Sequence, residues 1–427
     1  MTNVPLHERA FDGFLSHAHA DKVVVDRVHG WLASAGLKLW YDALHLSAGA
    51  KIATELGQAI PQCRSAIIVM SRASVASGWV EDEWNLASVE RNRSGMRKFR
   101  IIPLRIEDCE VPRFLEATKW VDMVDRLDDL GAWADLLDAL VDDGVDMDVA
   151  ALTDVYVSRS WQAGREQALA DQVLRRLDKS GLRLIGDSPD WPSFSGDRIR
   201  SIMRSCAGVV CVIPNRPRTA DKDKLKYFIH EARTAMHLCL PLLVVSEEGA
   251  DLPPEVVPQL RSPADGPDGR PELSAALDEA LQEFLEDCYA RPRAGHVFLA
   301  TDFDVTSRHR NEVLRRAIQR STGLRCVLGE QIGGDTVQRT LIEQIRNAVW
   351  LLADISGNNL NTCIEAGAAR GAGVDGTLVA RKPYEQQPFM LRGMELKTYD
   401  NAIELLAIAH RAAQPYRRKV LQPGGNA

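Results

Sequence analysis

The 427-residue chain has 45% hydrophobic and 26% charged residues and a net charge of -7, an ordinary globular composition without the basic footprint of a nucleic-acid partner. That length exceeds what one core usually supports, so about two to four domains are expected. The eight cysteines are scattered through apolar runs such as GVVCVI, with no CxxC pair and no histidines at ligand spacing, which predicts reduced, buried thiols in a cytoplasmic protein and no metal site. MTNVPLHERAFDG has no apolar signal core and the apolar runs are short, so no membrane span is expected, and the partners should be small molecules or proteins.

In chain order, FDGFLSH, LKLWYD, AIIVMS and RIIPLRI read as strands. Between them KVVVDRVHGWLASAG and AGAKIATELGQAIPQC read as amphipathic helices, the first ending at Gly36. Such alternation marks a parallel sheet covered by helices. Ser16 and His17 end the first strand, Asp42 ends the second, and SGWVEDEWNLA (77–87) opens the helix after the third. In open α/β sheets ligands sit beyond the carboxyl ends of the strands, so these groups should share one crevice. Trp79 and Glu83 stand one helical turn apart, spaced either to line a pocket together or to form a solvated helix start whose acids favour the macrodipole. Trp84 is expected in the core. Ser16, Asp42 and Lys51 each have a structural alternative, as a small turn residue, a loop cap and a solvated charge.

The plan repeats. GLKLWYD (36–42) is echoed by GLRLIGD (181–187), and IPQCRSAIIVMS (60–71) by IMRSCAGVVCVI (202–213). In YFIHEARTA, Tyr227 precedes Glu231 by four residues, as Trp79 precedes Glu83. A third copy runs HVFLATDFD, GLRCVLGE, LIEQIRNAVWLLADISGNNLNTCIEAGAARG. VDDGVDMD (141–148) and RSPADGPDGRPE (261–272) read as joints. The expected fold is α/β, three tandem doubly wound, flavodoxin-like parallel-sheet modules at residues 1–145, 150–290 and 295–427.

FDGFLSHAHADK, LKLWYDALHLSAGAKIATELGQAI and IIVMSRASVASGWVEDEW resemble, in order and spacing, three blocks of Toll/interleukin-1 receptor (TIR) domains, over residues 9–125. The resemblance implies either scaffolding by TIR self-association or cleavage of NAD+ between nicotinamide and ribose. Glu83 matches the essential glutamate of catalytic members, with Trp79 against the ligand, Ser16, His17 and Asp42 around it, and a loop carrying Ser47, Gly49 and Lys51 over the phosphates. NAD+ is then substrate, and no cofactor is implied. The middle unit keeps the skeleton, with DVYVSRSW, Asp187, Tyr227 and Glu231, but SPDWPSFSGD replaces the second-block loop, which points to a degenerate TIR-like module for assembly or binding.

LLADISGNNLNTCIEAGAARGAG resembles the D-x-[ST]-x-x-N-x-N...E-x-G-x-A segment of nucleoside 2-deoxyribosyltransferase-like and related TIR-like nucleotide-binding proteins, and PFMLRGMELKTYDNAIELLAIAH their closing strand and helix, over residues 295–412. It implies Asp354, Asn358, Asn361 and Glu365 around a ribose or base, with Glu365 a nucleophile in enzymes or part of a nucleotide-holding pocket in sensors. The same residues also fit a tight Asx-type turn. No GxxxxGK[ST], GxSxG or HExxH occurs, so a P-loop motor, a nucleophile-elbow hydrolase and a zinc protease lack a handle. Together the resemblances imply a bacterial-type TIR NAD+ glycohydrolase of antiphage immunity, homo-oligomeric through TIR–TIR contacts and triggered by a nucleotide at the third module. The alternatives are a cyclase making cyclic ADP-ribose, a non-catalytic TIR scaffold, and a glycosidase using Glu365.

Overall fold

The computed structural model describes residues 9–41, 58–76, 79–93, 99–141 except 114 and 117, 153–186 except 161 and 163, 196–216, 225–262, 276–329 except 292 and 294, 337–417 except 385, and 419–420. Within these spans the side chains at 79–83, 276, 337, 358, 419 and 420 lie outside the description. Among the described residues the strands form three sheets.

The first sheet contains β1 (Gly13–Ser16), β2 (Leu39–Tyr41), β3 (Ser65–Met70), β4 (Arg100–Arg105) and β5 (Val121–Asp122), all parallel in the order β2-β1-β3-β4-β5. Its helices are α1 (Lys22–Ser34), α2 (Arg72–Ala76), α3 (Trp79–Arg93) and α4 (Leu130–Leu140). All six residues of β3, SAIIVM, are buried, as expected where helices cover both faces of a parallel sheet. Helix α1 buries Val25, Val28, Trp31 and Leu32 at helical spacing and stops before Gly36, whose φ of 90° a side chain would disfavour. One detail departs from expectation: the short α2 intervenes before the helix that begins at Trp79. The segment read as AGAKIATELGQAIPQC lies outside the described residues up to 57, and Ile60–Gln62 is a 3-10 turn.

The second sheet repeats the order with β6 (Asp154–Ser158), β7 (Arg183–Gly186), β8 (Gly208–Ile213), β9 (Leu242–Glu247) and β10 (Leu260–Ser262), joined by α5 (Arg165–Leu177), α6 (Gly196–Arg204), α7 (Lys226–His237) and, after β10, α8 (Ala276–Ala290). Ala66 and Gly208, equivalent in the sequence repeat, pair with Phe14 of β1 and Val155 of β6. The third sheet has β11 (His296–Ala300), β12 (Arg325–Leu328), β13 (Ala348–Asp354), β14 (Asp375–Arg381) and β15 (Glu395–Tyr399), with α9 (Arg308–Thr322), α10 (Val337–Asn347), α11 (Leu360–Gly371) and α12 (Ala402–Ala413), again ordered β12-β11-β13-β14-β15. After it comes β16 (Lys419–Val420), which returns to the second sheet and pairs antiparallel with β7, a non-local addition that the strand pattern did not announce. The fold is therefore three doubly wound α/β units.

The units share a core. Trp31 and Trp133 from the first meet Leu314, Leu405 and Leu406 from the third in one apolar cluster. Trp31 Nε1 donates to the Ile403 carbonyl at 2.9 Å, and Arg316 and Arg320 of α9 hold Asp138 of α4 at 3.2 and 3.3 Å. His410 is fully buried with Nδ1 3.0 Å from the Ala35 carbonyl, and burial pushes its pKa down to about 4. The joints at 142–150 and 263–275 lie outside the described residues. Five of the eight cysteines are buried as expected, but Cys109 and Cys363 are half-buried and Cys239 is exposed, because it sits in the turn after α7 with a positive φ rather than in a strand. No helix among the described residues is long and apolar enough to cross a membrane.

Candidate functional site

At the carboxyl edge of the first sheet, Ser16 ends β1 almost fully buried and His17 follows it, its ring 5.1 Å from that of Tyr41 at the end of β2. The Tyr41 hydroxyl donates to Asp26 at 2.7 Å, and Lys22 Nζ approaches Asp26 at 3.2 Å and the hydroxyl at 3.3 Å, so the first two turns of α1 are bound to this edge. Burial, then the Asp26 carboxylate, raises the Tyr41 pKa, so the phenol stays a donor. Ser71 closes β3 and donates to Asp21 at 2.7 Å. From there α2 leads to α3, whose backbone begins at Trp79. Arg9 and Glu90, both buried, form an ion pair at 2.6 Å that pins the far part of α3. By helical spacing position 83 shares its stripe with Ala87 and Glu90, four and seven residues on, and both of those are buried. Asp42, Ser47 and Lys51 lie outside the described residues, as do the side chains of Trp79 and Glu83.

At the corresponding edge of the third sheet, Glu365 sits in the second turn of α11 with 6% of its surface exposed. Among the described residues no hydrogen-bond donor or cation meets its carboxylate, and burial alone pushes its pKa up to about 7. Gly329, just past β12, makes room for it: a Cβ there would lie 3.3 Å from Glu365 Oε1 and 3.1 Å from the Phe303 ring. Asp354 ends β13 and is saturated, accepting from the Ser356 amide at 3.1 Å, the Ser356 hydroxyl at 2.6 Å and the Tyr399 hydroxyl at 2.8 Å, with Arg310 Nη1 at 3.5 Å. Asn359, not Asn361, caps α11, its Oδ1 accepting from the Asn361 and Thr362 amides. Asn361 is exposed and the side chain of Asn358 lies outside the described residues. The structure thus brings Asp354 and Glu365 to one edge, with Asp354 in the Asx-type turn that was the structural alternative.

The second sheet closes its edge on itself. Glu231 is buried and accepts from Tyr156 at 2.8 Å, Arg216 grips Glu166 at 2.7 and 3.0 Å, and Arg165 reaches Glu247 at 3.0 Å. Tyr227, one turn before Glu231, points away and is 46% exposed. Asp187 lies outside the described residues. No cluster of metal ligands occurs among the described residues.

Residues 14–140 match the family model described as TIR domain. The first unit is a TIR domain. Among solved structures, the chain is similar to the TIR domain of the Toll-related receptor TRR-2 from the lower metazoan Hydra magnipapillata, at 22% identity over 31% of this chain and 98% of that one, with a TM-score of 0.27. It is also similar to the C-terminal domain of glucosamine-fructose-6-phosphate aminotransferase from Francisella tularensis, at 10% identity over 69% of this chain and 95% of that one, with a TM-score of 0.23. Scores that low carry no argument about function. No curated protein matches the chain. The TIR domain's edge also contains residues that sequence reasoning passed over: Tyr41, Asp26 and Lys22 bind α1 to it, and Glu90 fixes α3. Tyr41 had a signal, an aromatic at a strand's carboxyl end beside Asp42. The pairing of Arg9 with Glu90 had none, because it joins residues far apart in the chain.

Proposed function

We propose that the TIR domain hydrolyses NAD+ at the nicotinamide–ribose bond, with Glu83 as the essential carboxylate. The observation that supports this reading is the match of residues 14–140 to the TIR family, together with helical spacing that sets position 83 one turn before the buried Ala87 on the helix following β3. Breaking the N-glycosidic bond builds positive charge on the ribose C1′ and its ring oxygen, which a preorganised carboxylate stabilises, directly or through the ribose hydroxyls. Nicotinamide leaves neutral from a cationic pyridinium and so needs no strong acid. Water then adds to C1′ and loses a proton, giving ADP-ribose. Capture by the adenine instead gives a cyclic product. Ser16, His17 and Asp42 would line the pocket, Trp79 would meet the ring, and Ser47 and Lys51 would approach the phosphates.

A second site is favoured by the buried Glu365, which meets no donor among the described residues. A buried carboxyl group titrating near neutrality is a recognised mark of a functional site, and here it suits a nucleotide that regulates the TIR domain, or a glycosidase centre of its own. We read the protein as an antiphage effector whose TIR domains self-associate and whose third unit senses that nucleotide. NAD+ consumption with product identification, across a wide protein concentration range, separates these readings. Loss of turnover in Glu83→Ala with retention in Glu365→Ala supports the TIR glycohydrolase, and the reverse moves the chemistry to the third unit. A wild type that never consumes NAD+ yet self-associates leaves a scaffold.

A further inference from the structure

The two helices with which the third unit grips the TIR domain both start at one carboxylate. Arg310 lies in the first turn of α9, 19% exposed, and its guanidinium reaches Asp354 Oδ2 at 3.5 Å, Asp302 at 3.2 Å and Thr301 at 3.1 Å. Tyr399 ends β15 and donates to the same Asp354 oxygen at 2.8 Å, two residues before Asn401 caps α12 by accepting from the Ile403 and Glu404 amides, both at 3.0 Å. Asp354 ends β13, and Glu365, which meets no donor among the described residues, lies in the second turn of α11, the helix that follows. At their other contacts, α9 holds Asp138 of α4, while α12 accepts from Trp31 through the Ile403 carbonyl and meets the end of α1 through His410 and Ala35. Helix α1 then runs about 20 Å back to the TIR domain's carboxyl edge, where Lys22 and Asp26 engage Tyr41.

We propose that Asp354 is a positioning residue through which the state of the third sheet's carboxyl edge is read by the TIR domain: a nucleotide binding beside Glu365 alters the hold of Asp354 on Tyr399 and Arg310, and α12 and α9 pass that change to α1 and α4. The identity of the occupant rests on the nucleotide reading above; the route does not. Packed helices transmit such shifts because the interface is close-packed and moves as a unit. Asp354 serves here without touching substrate, which accounts for its being saturated by protein donors.

Hydrogen exchange on the full chain tests the route without NAD+ or ligand. Tyr399→Phe removes one of the bonds to Asp354 while keeping the ring in place. The amides of α12 and of α1 should both exchange about fivefold faster, the effect of losing one net hydrogen bond. Tyr156→Phe, the equivalent loss in the second unit, should leave α1 unchanged. Adding Trp31→Phe to Tyr399→Phe should reduce the acceleration in α1, the remainder passing through His410 and Ala35. Acceleration that stops at α12 in the single variant, or that is as large in α1 with and without the Trp31 bond, overturns the proposal. If Tyr399→Phe fails to fold, Arg310→Lys gives the same readings through α9 and α4. An inactive Glu83 site would show as missing turnover in the NAD+ assay and would leave these exchange rates untouched.

Discussion

Glu231 and Glu365 occupy the same place in two copies of one architecture, each on the helix that follows the third strand of a doubly wound sheet, each more than nine-tenths buried. Their surroundings differ by a donor. Tyr156 of β6 supplies a hydroxyl to Glu231 at 2.8 Å, whereas Glu365 lies beside Gly329, next to which Phe303 and Leu341 also pack, and meets no donor among the described residues. A buried carboxylate with a donor is a structural element of the core. One without a donor either keeps its proton or awaits a ligand. Duplication of a fold therefore preserves where a glutamate sits, and the residue on the neighbouring strand decides what it is for.

Three substitutions would break or sharpen that contrast. The largest effect is expected from Glu365→Gln. The folded chain keeps the Glu365 proton up to a pKa of about 7, while the unfolded chain releases it near 4.5, so the unfolded state binds fewer protons in between and stability falls as pH rises through that window. The variant should match wild type near pH 4.5 and gain up to about 3 kcal/mol at pH 8, read from denaturant melts at the two values. No gain at pH 8 would mean that Glu365 has a cation or donor after all. Next, Tyr156→Phe should cost about 2 kcal/mol by taking a donor from the buried Glu231, read from denaturant melts at neutral pH. A loss under about 0.5 kcal/mol would mean that the hydroxyl is dispensable to the buried carboxylate. The smallest effect is expected from Gly329→Ala. Its added methyl would crowd Phe303 at 3.1 Å and Glu365 Oε1 at 3.3 Å, so both must give by a few tenths of an ångström, and stability should fall by about 1 kcal/mol while the space beside the carboxylate is filled. Thermal melts of the variant with and without nucleotides check both halves.

Much of the fold was legible because hydrophobic periodicity is a local signal. The run SAIIVM and the spacing of Val25, Val28 and Leu32 can each be read within one element, and the echo of GLKLWYD in GLRLIGD predicted the repeated strand order. Trp84 lies in the core as expected. What stayed illegible depends on contacts between distant segments. Asp354 and Glu365 were singled out by their motif, but nothing near Asp354 in sequence indicates that Tyr399 and Arg310 consume its lone pairs. Conversely Asn361 fits the motif and yet is exposed, because the cap falls to Asn359. The charge pairs that close the second unit's edge, Arg216 with Glu166 and Arg165 with Glu247, join residues on separate connections and left no trace in spacing.

The antiparallel strand β16 has a consequence for how the chain comes into being. Its partner β7 emerges from the ribosome long before it, with the entire third sheet synthesised in between. Until then the β7 side of the second sheet presents unpaired amides and carbonyls, the kind of edge onto which a second chain can add a strand. The nascent second unit thus passes through a period of roughly ten to fifty seconds in which its sheet is open to strangers, and the strand that later covers it acts as a built-in chaperone for a domain made earlier in synthesis.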